Sequence, residues 1–293
     1  MSAELAAAVA RVWPDGESQW EPLGGGITNS NVKVTRADGV FVLRVAGRET
    51  EVLGIDRAAE HEATRTAASV GVGPEVVAFV EPEGWLVTRF IEGTIPSPEA
   101  LREPARLPQV GRTLRAIHGA PAIPGRFDAL AVVESYRDAA VARGAVLPDG
   151  FPEAHATAIR IASIRAAETP RPCHNDLLAA NVIDDGARLR IVDWEYAGMG
   201  DPFFDLANFS ANLELDAPGR GALLAAYFGE AREADLATVE LMRFMSDFRE
   251  AMWGVVQSVV SELDFDFDAY ARRHFARMAR TAAEPGFRAA LGA

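Results

Sequence analysis

Three oxygen-bearing side chains stand at fixed spacing. Asp176 lies in Cys173-His174-Asn175-Asp176, Asn181 follows five residues later, and Asp193 comes twelve after that in Ile191-Val192-Asp193-Trp194-Glu195. Asp176 can accept a proton from a hydroxyl. Asn181 offers an amide oxygen to a hard cation. Asp193 closes Leu189 to Val192, which reads as a short buried strand. A carboxylate at such a strand end is costly to desolvate unless it is paired. Mg²⁺ is the natural partner, since it takes oxygen ligands from one or two carboxylates and from substrate phosphates. The chemistry this set suits is phosphoryl transfer to a hydroxyl, with Asp176 as the base and Asn181 and Asp193 holding the metal.

These groups need elements to position them. Met1 to Val12 reads as a short amphipathic helix without the basic head of a signal peptide. Trp20 to Leu23 leads into Gly24-Gly25-Gly26-Ile27-Thr28-Asn29-Ser30-Asn31, and Val32 to Thr35 alternates like a strand. Ala37-Asp38-Gly39 is a hairpin turn, and Val40 to Val45 is the next strand. Glycines between two strands allow a backbone to lie over phosphates, and Gly25, Thr28, Asn29 and Ser30 would contribute there. An ordinary glycine turn is the other reading. Arg44 alternates against Leu43 and Val45. Lys33, the only lysine, lies on the neighbouring strand. Ile55 to Val70 reads as a helix ended by Gly71 and carrying Glu60 and Glu62. Val76 to Phe79 and Trp85 to Phe90 are further strands, so the first part is a small antiparallel sheet with one helix.

Pro96, Pro98 and Pro104 mark irregular chain, which puts a boundary near residue 93 and divides the chain into 1–93 and 94–293. Beyond it the pattern is mostly helical: Leu107 to His118, Phe127 to Arg143, Phe151 to Glu168, and a long helix over Asp235 to Leu263. His118 reads as a helix-end residue. In the long helix Val239, Met245, Phe248, Met252, Val255 and Val259 form an apolar stripe. Ser246, Glu250, Trp253 and Gln257 form another face. A carboxylate one turn from a tryptophan can hold a quaternary ammonium. The competing reading is a tryptophan packed in the core.

The 293 residues are 49% hydrophobic and carry a formal net charge of −13, with a sequence pI of about 4.9. Such a chain can bury a sizeable core. Its acidity disfavours nucleic acid and is mildly favourable for a cationic substrate. A single cysteine, Cys173, excludes an internal disulfide and fits a reducing compartment. No apolar run approaches the roughly 20 residues of a membrane span. The expectation is a cytoplasmic protein without nucleic-acid or membrane partners, its oligomeric state open.

The stretch C-H-N-D-L-L-x-x-N-V-I, followed by I-V-D-W-E-Y-A-G-M-G-D-P-F-F-D-L-A, resembles the choline/ethanolamine kinase-like branch of the aminoglycoside phosphotransferase superfamily, and within it the bacterial choline kinase-like proteins. G-G-x-T-N resembles the same pattern, and the likeness runs from Gly24 to about Phe275.

The resemblance implies an α+β, bilobal protein kinase-like fold and an enzyme that uses ATP and Mg²⁺ to phosphorylate a small molecule. Arg44 would take the place of the lysine that contacts nucleotide phosphates in most kinases, and Glu60 would pair with it. Arg89 to Gly93 would be the hinge, with Arg89 and Ile91 offering backbone groups to adenine. Asp205 resembles the acid that braces the catalytic loop, and His174 would likewise be structural. Glu195, Tyr196, Glu250 and Trp253 would face the acceptor. That acceptor is a small cationic alcohol: choline, ethanolamine or a related amino alcohol. An aminoglycoside, macrolide, thiamine or amino-sugar kinase is the nearest alternative, and a catalytically inactive binding module another.

Overall fold

A computed structural model of the chain describes residues 2–24, 29–47 and 50–292. The first lobe runs α1 (Ser2–Val12), β1 (Gln19–Leu23), β2 (Asn29–Arg36), β3 (Gly39–Ala46), α2 (Arg57–Ser69), β4 (Val76–Val80) and β5 (Trp85–Arg89). The strands form one antiparallel sheet in the order β1-β2-β3-β5-β4. Alternation sends Val32, Val34, Phe41, Leu43, Val45 and Val87 to one face, where Leu5, Ala8 and Val9 of α1 cover them. The opposite face carries Asn31, Val42, Arg44, Leu86 and Thr88, and these line a cavity. The sheet therefore has a dry side built by α1 and a polar side turned towards the second lobe.

The second lobe continues with α3 (Pro98–Arg102), α4 (Leu107–His118), α5 (Ala129–Ala142), α6 (Phe151–Arg165), β6 (Arg171–Cys173), β7 (Val182–Asp184), β8 (Leu189–Ile191) and β9 (Gly198–Gly200). It ends with α7 (Pro202–Asn212), α8 (Ala217–Phe228), α9 (Glu233–Val260), α10 (Phe267–Ala283) and α11 (Pro285–Leu291). Side chains at the helix starts set the boundaries. Asp56, Ser97, Asp128, Asp201, Asp216 and Asp266 each accept a hydrogen bond from a first-turn amide, a contribution of roughly 1 kcal/mol apiece.

The long helix α9 buries Val239, Met245, Phe248, Met252 and Val255 as its stripe predicts. Val259 is 36% exposed, because Ser261 turns the chain to extended backbone and ends the helix at Val260, short of Leu263. α10, α11, α7 and α8 lie where no helix was read from the sequence. α10 crosses α9 closely: a Cβ on Gly254 would stand 3.1 Å from the Ala271 amide nitrogen and the Phe267 carbonyl. The two small strand pairs, β6 with β9 and β7 with β8, hold the loop that carries Asp176. No helix among the described residues is long and apolar enough to cross a membrane.

Candidate active site

The loop between β6 and β7 is fixed from beneath by Asp205 on α7. Its carboxylate accepts from the His174 amide at 2.8 Å and the Asn175 amide at 2.7 Å, and His118 Nε2 lies 2.9 Å away. Burial opposes its charge, but the His118 contact and the amides hold its carboxyl below the ordinary carboxylate range. His118 is thus more than a helix end: its other nitrogen meets the Tyr227 hydroxyl at 2.8 Å. The His174 ring faces the Asp176 amide with Nδ1 and the Val192 carbonyl with Nε2. The amide can only donate, so Nδ1 accepts and Nε2 carries the proton. Burial pushes the His174 pKa down, which suits this neutral form. Asn208, which the sequence reading passed over, accepts from the Leu177 amide at 2.6 Å and donates to Ser246 of α9.

So braced, the loop brings the three oxygen-bearing residues together. Asn175 and Asp193 both adopt left-handed backbone, φ 68° and 70°, a conformation that Asn and Asp tolerate better than most residues. Asn181 donates its side-chain amide to the Asp176 carbonyl at 2.9 Å, which leaves its own amide oxygen free to point elsewhere. Two cavities meet here. One, of about 410 Å³, lies under the polar face of the sheet. The other, of about 390 Å³, lies between the loop, α9 and α10. Asn31, Ala180, Asn181 and Asp193 line both, whereas Asp176 lines only the second. The Asp176 carboxyl is pushed up to about 8, chiefly by burial and then by Glu250, Asp193 and Glu195, against the pull of Arg249.

A polar network ties the two lobes above this junction. Arg44 bridges Glu60 and Asp193, its Nη2 lying 2.7 Å from Asp193 Oδ1. Arg57, at the start of α2, pairs with Glu60 at 2.7 Å and Glu195 at 3.3 Å and donates to Asn29 at 2.8 Å. Asn29 in turn donates to Glu195 at 2.7 Å. Burial and Asp193 push Glu195 up to about 7, against Arg44. These contacts correct several expectations. Asn29 is committed to Glu195 and Arg57 and lines the cavity beside α9 and α10, not the cavity under the sheet. Ser30 points with Val32 and Val34 towards the α1 side and lines neither cavity, because strand alternation gives the inward position to Asn31. Lys33 lies 4.6 Å from the Phe90 ring and 3.7 Å from Glu21, away from Asp193. Glu195 is buried, bonded to Asn29 and Arg57, and lines the second cavity. Gly25 and Thr28 lie outside the described residues. Arg57 was missed, although its place just after the helix-capping Asp56 and three residues before Glu60 was a signal.

At the hinge, the Arg89 amide donates to the Glu75 carbonyl and the Phe90 amide to Val40. The Arg89 side chain lies over Phe41 and donates to the Asp38 carbonyl. Arg89 therefore has no free amide for a ligand. The Ile91 amide has no intramolecular partner among the described residues, and Ile91 lines the cavity under the sheet. Gly93 permits the crossing that follows: a Cβ there would stand 2.4 Å from the Asp184 carbonyl oxygen.

The second cavity is walled by Tyr196, Glu250, Trp253 and Tyr270, with a buried arginine between them. The Arg249 side chain is 1% exposed. Its Nη1 lies 3.2 Å from Asp176 and also pairs with Glu250, and its guanidinium sits 4.3 Å from the Tyr196 ring centre. Glu250 also accepts from the Tyr270 hydroxyl at 2.6 Å. Burial opposes its charge, yet Arg249 and its other partners keep its carboxyl below the ordinary range. Trp253 donates to the Tyr196 hydroxyl at 3.2 Å and packs edge-on against Phe267 and Tyr270, leaving 7% of its surface exposed. Glu250 and Trp253 both line this second cavity, and Glu250 is paired with the adjacent Arg249. Sequence reading passed over Arg249, although a charge inside the apolar run of α9 was visible.

A β-sheet lobe over a helical lobe, with an acid loop where two cavities join, defines the class of kinase-like phosphotransferases. Residues 19–240 match the Phosphotransferase enzyme family. A choline/ethanolamine kinase family protein from Mesorhizobium loti superposes with a TM-score of 0.86 at 34% identity, covering 100% of this chain and 98% of that one. Protein LicA of Haemophilus influenzae is 28% identical over 215 residues, 71% of this chain, which spans only about 62% of LicA. Ethanolamine kinase 2 of Rattus norvegicus is 26% identical over 292 residues, covering 88% of this chain and 75% of that protein. The chain belongs to this phosphotransferase family, in its choline/ethanolamine kinase branch, and is a small-molecule kinase.

Proposed function

We propose that the chain transfers the terminal phosphoryl group of ATP to the hydroxyl of a small amino alcohol of the choline and ethanolamine kind, with Mg²⁺. The observation that carries this is the junction of two cavities at Asn31, Ala180, Asn181 and Asp193, with Asp176 on one side of it. The nucleotide takes the cavity under the sheet, its base against the Ile91 amide, in the lobe that ends at Gly93. The acceptor takes the other.

The donor set fits a hard cation. Among the described residues the Asn181 amide oxygen accepts no hydrogen bond, and Asp193 Oδ1 is buried without an aligned hydrogen bond, with Arg44 beside it. A bound Mg²⁺ would neutralise phosphate charge. Arg44, steadied by Glu60, presents its guanidinium to the phosphates. Asp176 orients the acceptor hydroxyl and takes its proton, a task suited by a carboxyl that burial makes basic. Asp205 and His174 keep the loop in place. Reliance on ATP, and a lone buried cysteine, accord with a cytoplasmic setting.

The test is a coupled ADP-release screen with Mg²⁺ across choline, ethanolamine, thiamine, amino sugars, aminoglycosides and macrolides. Turnover confined to the antibiotics, thiamine or sugars would replace the amino-alcohol reading. Nucleotide binding with no turnover of any alcohol would favour an inactive module.

Two variants probe the nucleotide side. Asp193→Ala should weaken nucleotide binding about tenfold or more in Mg²⁺ and by much less without it, as titration calorimetry in both conditions would read; equal loss with and without Mg²⁺ would remove Asp193 from the metal site. Arg44→Met should raise KM for ATP by about tenfold, from a lost charge-assisted contact of roughly 1.5 kcal/mol. Arg44→Lys should lose less, because it keeps the charge but not the planar fork that reaches both Glu60 and Asp193. Equal, negligible effects of the two would assign the phosphates to other groups.

A further inference from the structure

Arg249 stands in the middle of α9 beside the fully buried Phe248, Ala251 and Met252, and its own side chain is all but closed off from solvent. A charge in such a place is costly to desolvate. Its hydrogen bonds among the described residues all leave from Nη1, which reaches Glu250 and, at 3.2 Å, Asp176 Oδ1. Nε and Nη2 are buried without a hydrogen-bond partner. A buried ion pair is weak grounds for stability, since pairing often returns no more than desolvation costs. Stability alone therefore does not explain an arginine here, and the contact with Asp176 offers another reason.

That contact is the one side-chain hydrogen bond the Asp176 carboxylate makes among the described residues, and it engages Oδ1. Oδ2 accepts none and is not closed off, so it opens on the second cavity, which Asp176 lines. The rest of the loop is held by other contacts. The Asn175 side chain donates to the Tyr196 carbonyl at 3.0 Å, and Asn181 donates to the Asp176 backbone. Neither fixes the Asp176 carboxylate. Arg249 itself is held on two sides, by Glu250 and by the Tyr196 ring, whose centre lies 4.3 Å away. Tyr270 of α10 donates to Glu250 at 2.6 Å, and Trp253 to the Tyr196 hydroxyl at 3.2 Å. α10 is in turn pinned to α9 by Arg277, 2.6 Å from Asp247. The guanidinium is thus a fixed post behind the carboxylate.

We propose that Arg249 is a positioning residue for phosphoryl transfer: it holds Asp176 by Oδ1 and so aims Oδ2 at the acceptor hydroxyl. Arg249 acts through Asp176 and does not touch the acceptor. The inference rests on the reading of Asp176 as the base. A base must meet its proton at hydrogen-bond distance. A displacement of about 1 Å in a reacting group can cost about a hundredfold in rate. A charge-assisted bond from a side chain that is itself locked keeps the carboxylate in one orientation.

The test is steady-state ADP release with choline and ethanolamine, together with nucleotide titration, on Arg249→Met, Arg249→Lys, Asp176→Asn and Arg249→Met/Asp176→Asn. Arg249→Met should lower kcat by about ten- to a hundredfold. Its KM for ATP should stay within about twofold, because Arg249 lines the second cavity and not the cavity under the sheet. Arg249→Lys keeps a cationic donor and should recover most of the loss. In the Asp176→Asn background Arg249→Met should cost less than about threefold, since residues that act as a unit are not additive. A kcat for Arg249→Met within about threefold of the parent, with Asp176→Asn impaired, would overturn the inference and leave the base in place. A loss of the same size in both backgrounds would overturn it too, because Arg249 would then act by a route other than Asp176. If Arg249→Met no longer binds nucleotide, Arg249→Met/Glu250→Gln removes the acid left unpaired and is compared with Glu250→Gln alone. Equal kcat in that pair overturns the inference, and a drop of about tenfold or more upholds it. Asp176→Asn as fast as the parent, or a parent inactive on both alcohols, would overturn the reading on which the inference rests, and the inference with it.

Discussion

Asp176→Asn is expected to lower kcat by about 10²- to 10⁴-fold, the usual worth of a general base, while Mg-nucleotide affinity stays close to that of the parent. The substitution keeps the size of the side chain and removes its basicity. The backbone carbonyl that receives the Asn181 amide is untouched, so Asn181 keeps its orientation. Asp176 lines the acceptor cavity and not the cavity under the sheet, which is why the two readouts should separate. Arg249 would lose one carboxylate but keep Glu250, so the buried guanidinium stays compensated and the fold should survive. Steady-state kinetics with each substrate varied, together with nucleotide titration, measure both. A kcat near that of the parent would remove Asp176 as the base. A parallel loss of nucleotide affinity would move it to the metal site instead.

The parts of the site legible in the sequence are those set by short-range spacing. His174 to Asn181 is one loop, and Asp193 follows two residues beyond β8, the strand paired with the β7 that leaves the loop, so linear spacing maps onto three-dimensional proximity. The β2–β3 hairpin was legible from alternation and from Ala37-Asp38-Gly39. The Arg44–Glu60 contact followed from family resemblance and from the strand phase. What stayed hidden depended on phase or on long-range packing. Ser30 and Asn31 differ by one residue in a strand, and only the position of α1 decides which of them faces the cavity. Asn29 looked like a phosphate donor until Arg57 and Glu195, distant in sequence, closed on it. Glu250 and Trp253 were read as a face of α9, but a helical wheel does not show that Arg249 folds back between Glu250 and Asp176. That geometry needs α10, whose pattern went unread, and α10 also supplies Tyr270, Arg273 and Arg277. His118 looked like a helix terminus because its partner, Asp205, arrives from α7 much later in the chain.

Asp205→Ala on α7, beneath the loop, should be strongly destabilising, by about 3–5 kcal/mol, the cost typical of removing one partner from a buried charged cluster. The Asp205 side chain is fully buried and serves three groups at once: the His174 amide, the Asn175 amide and the His118 ring. Alanine leaves two buried amide N–H groups without acceptors, at about 1–3 kcal/mol each, and a void beneath the loop. The left-handed backbone of Asn175 then loses a main restraint, so kcat should fall even where the variant is folded. The pH dependence follows from the same contacts. The folded state holds the Asp205 carboxyl below the range it has in the unfolded chain, so its contribution is present at neutral pH and is lost as pH falls through that lowered value. Denaturant titrations at neutral and acidic pH should therefore show a large deficit for Asp205→Ala at neutral pH and a smaller one in acid. Asp205→Asn keeps one acceptor oxygen and should lie between the two. A neutral-pH deficit under about 1 kcal/mol for Asp205→Ala would mean that β6, β9 and the Asn208 contact hold the loop without this carboxylate.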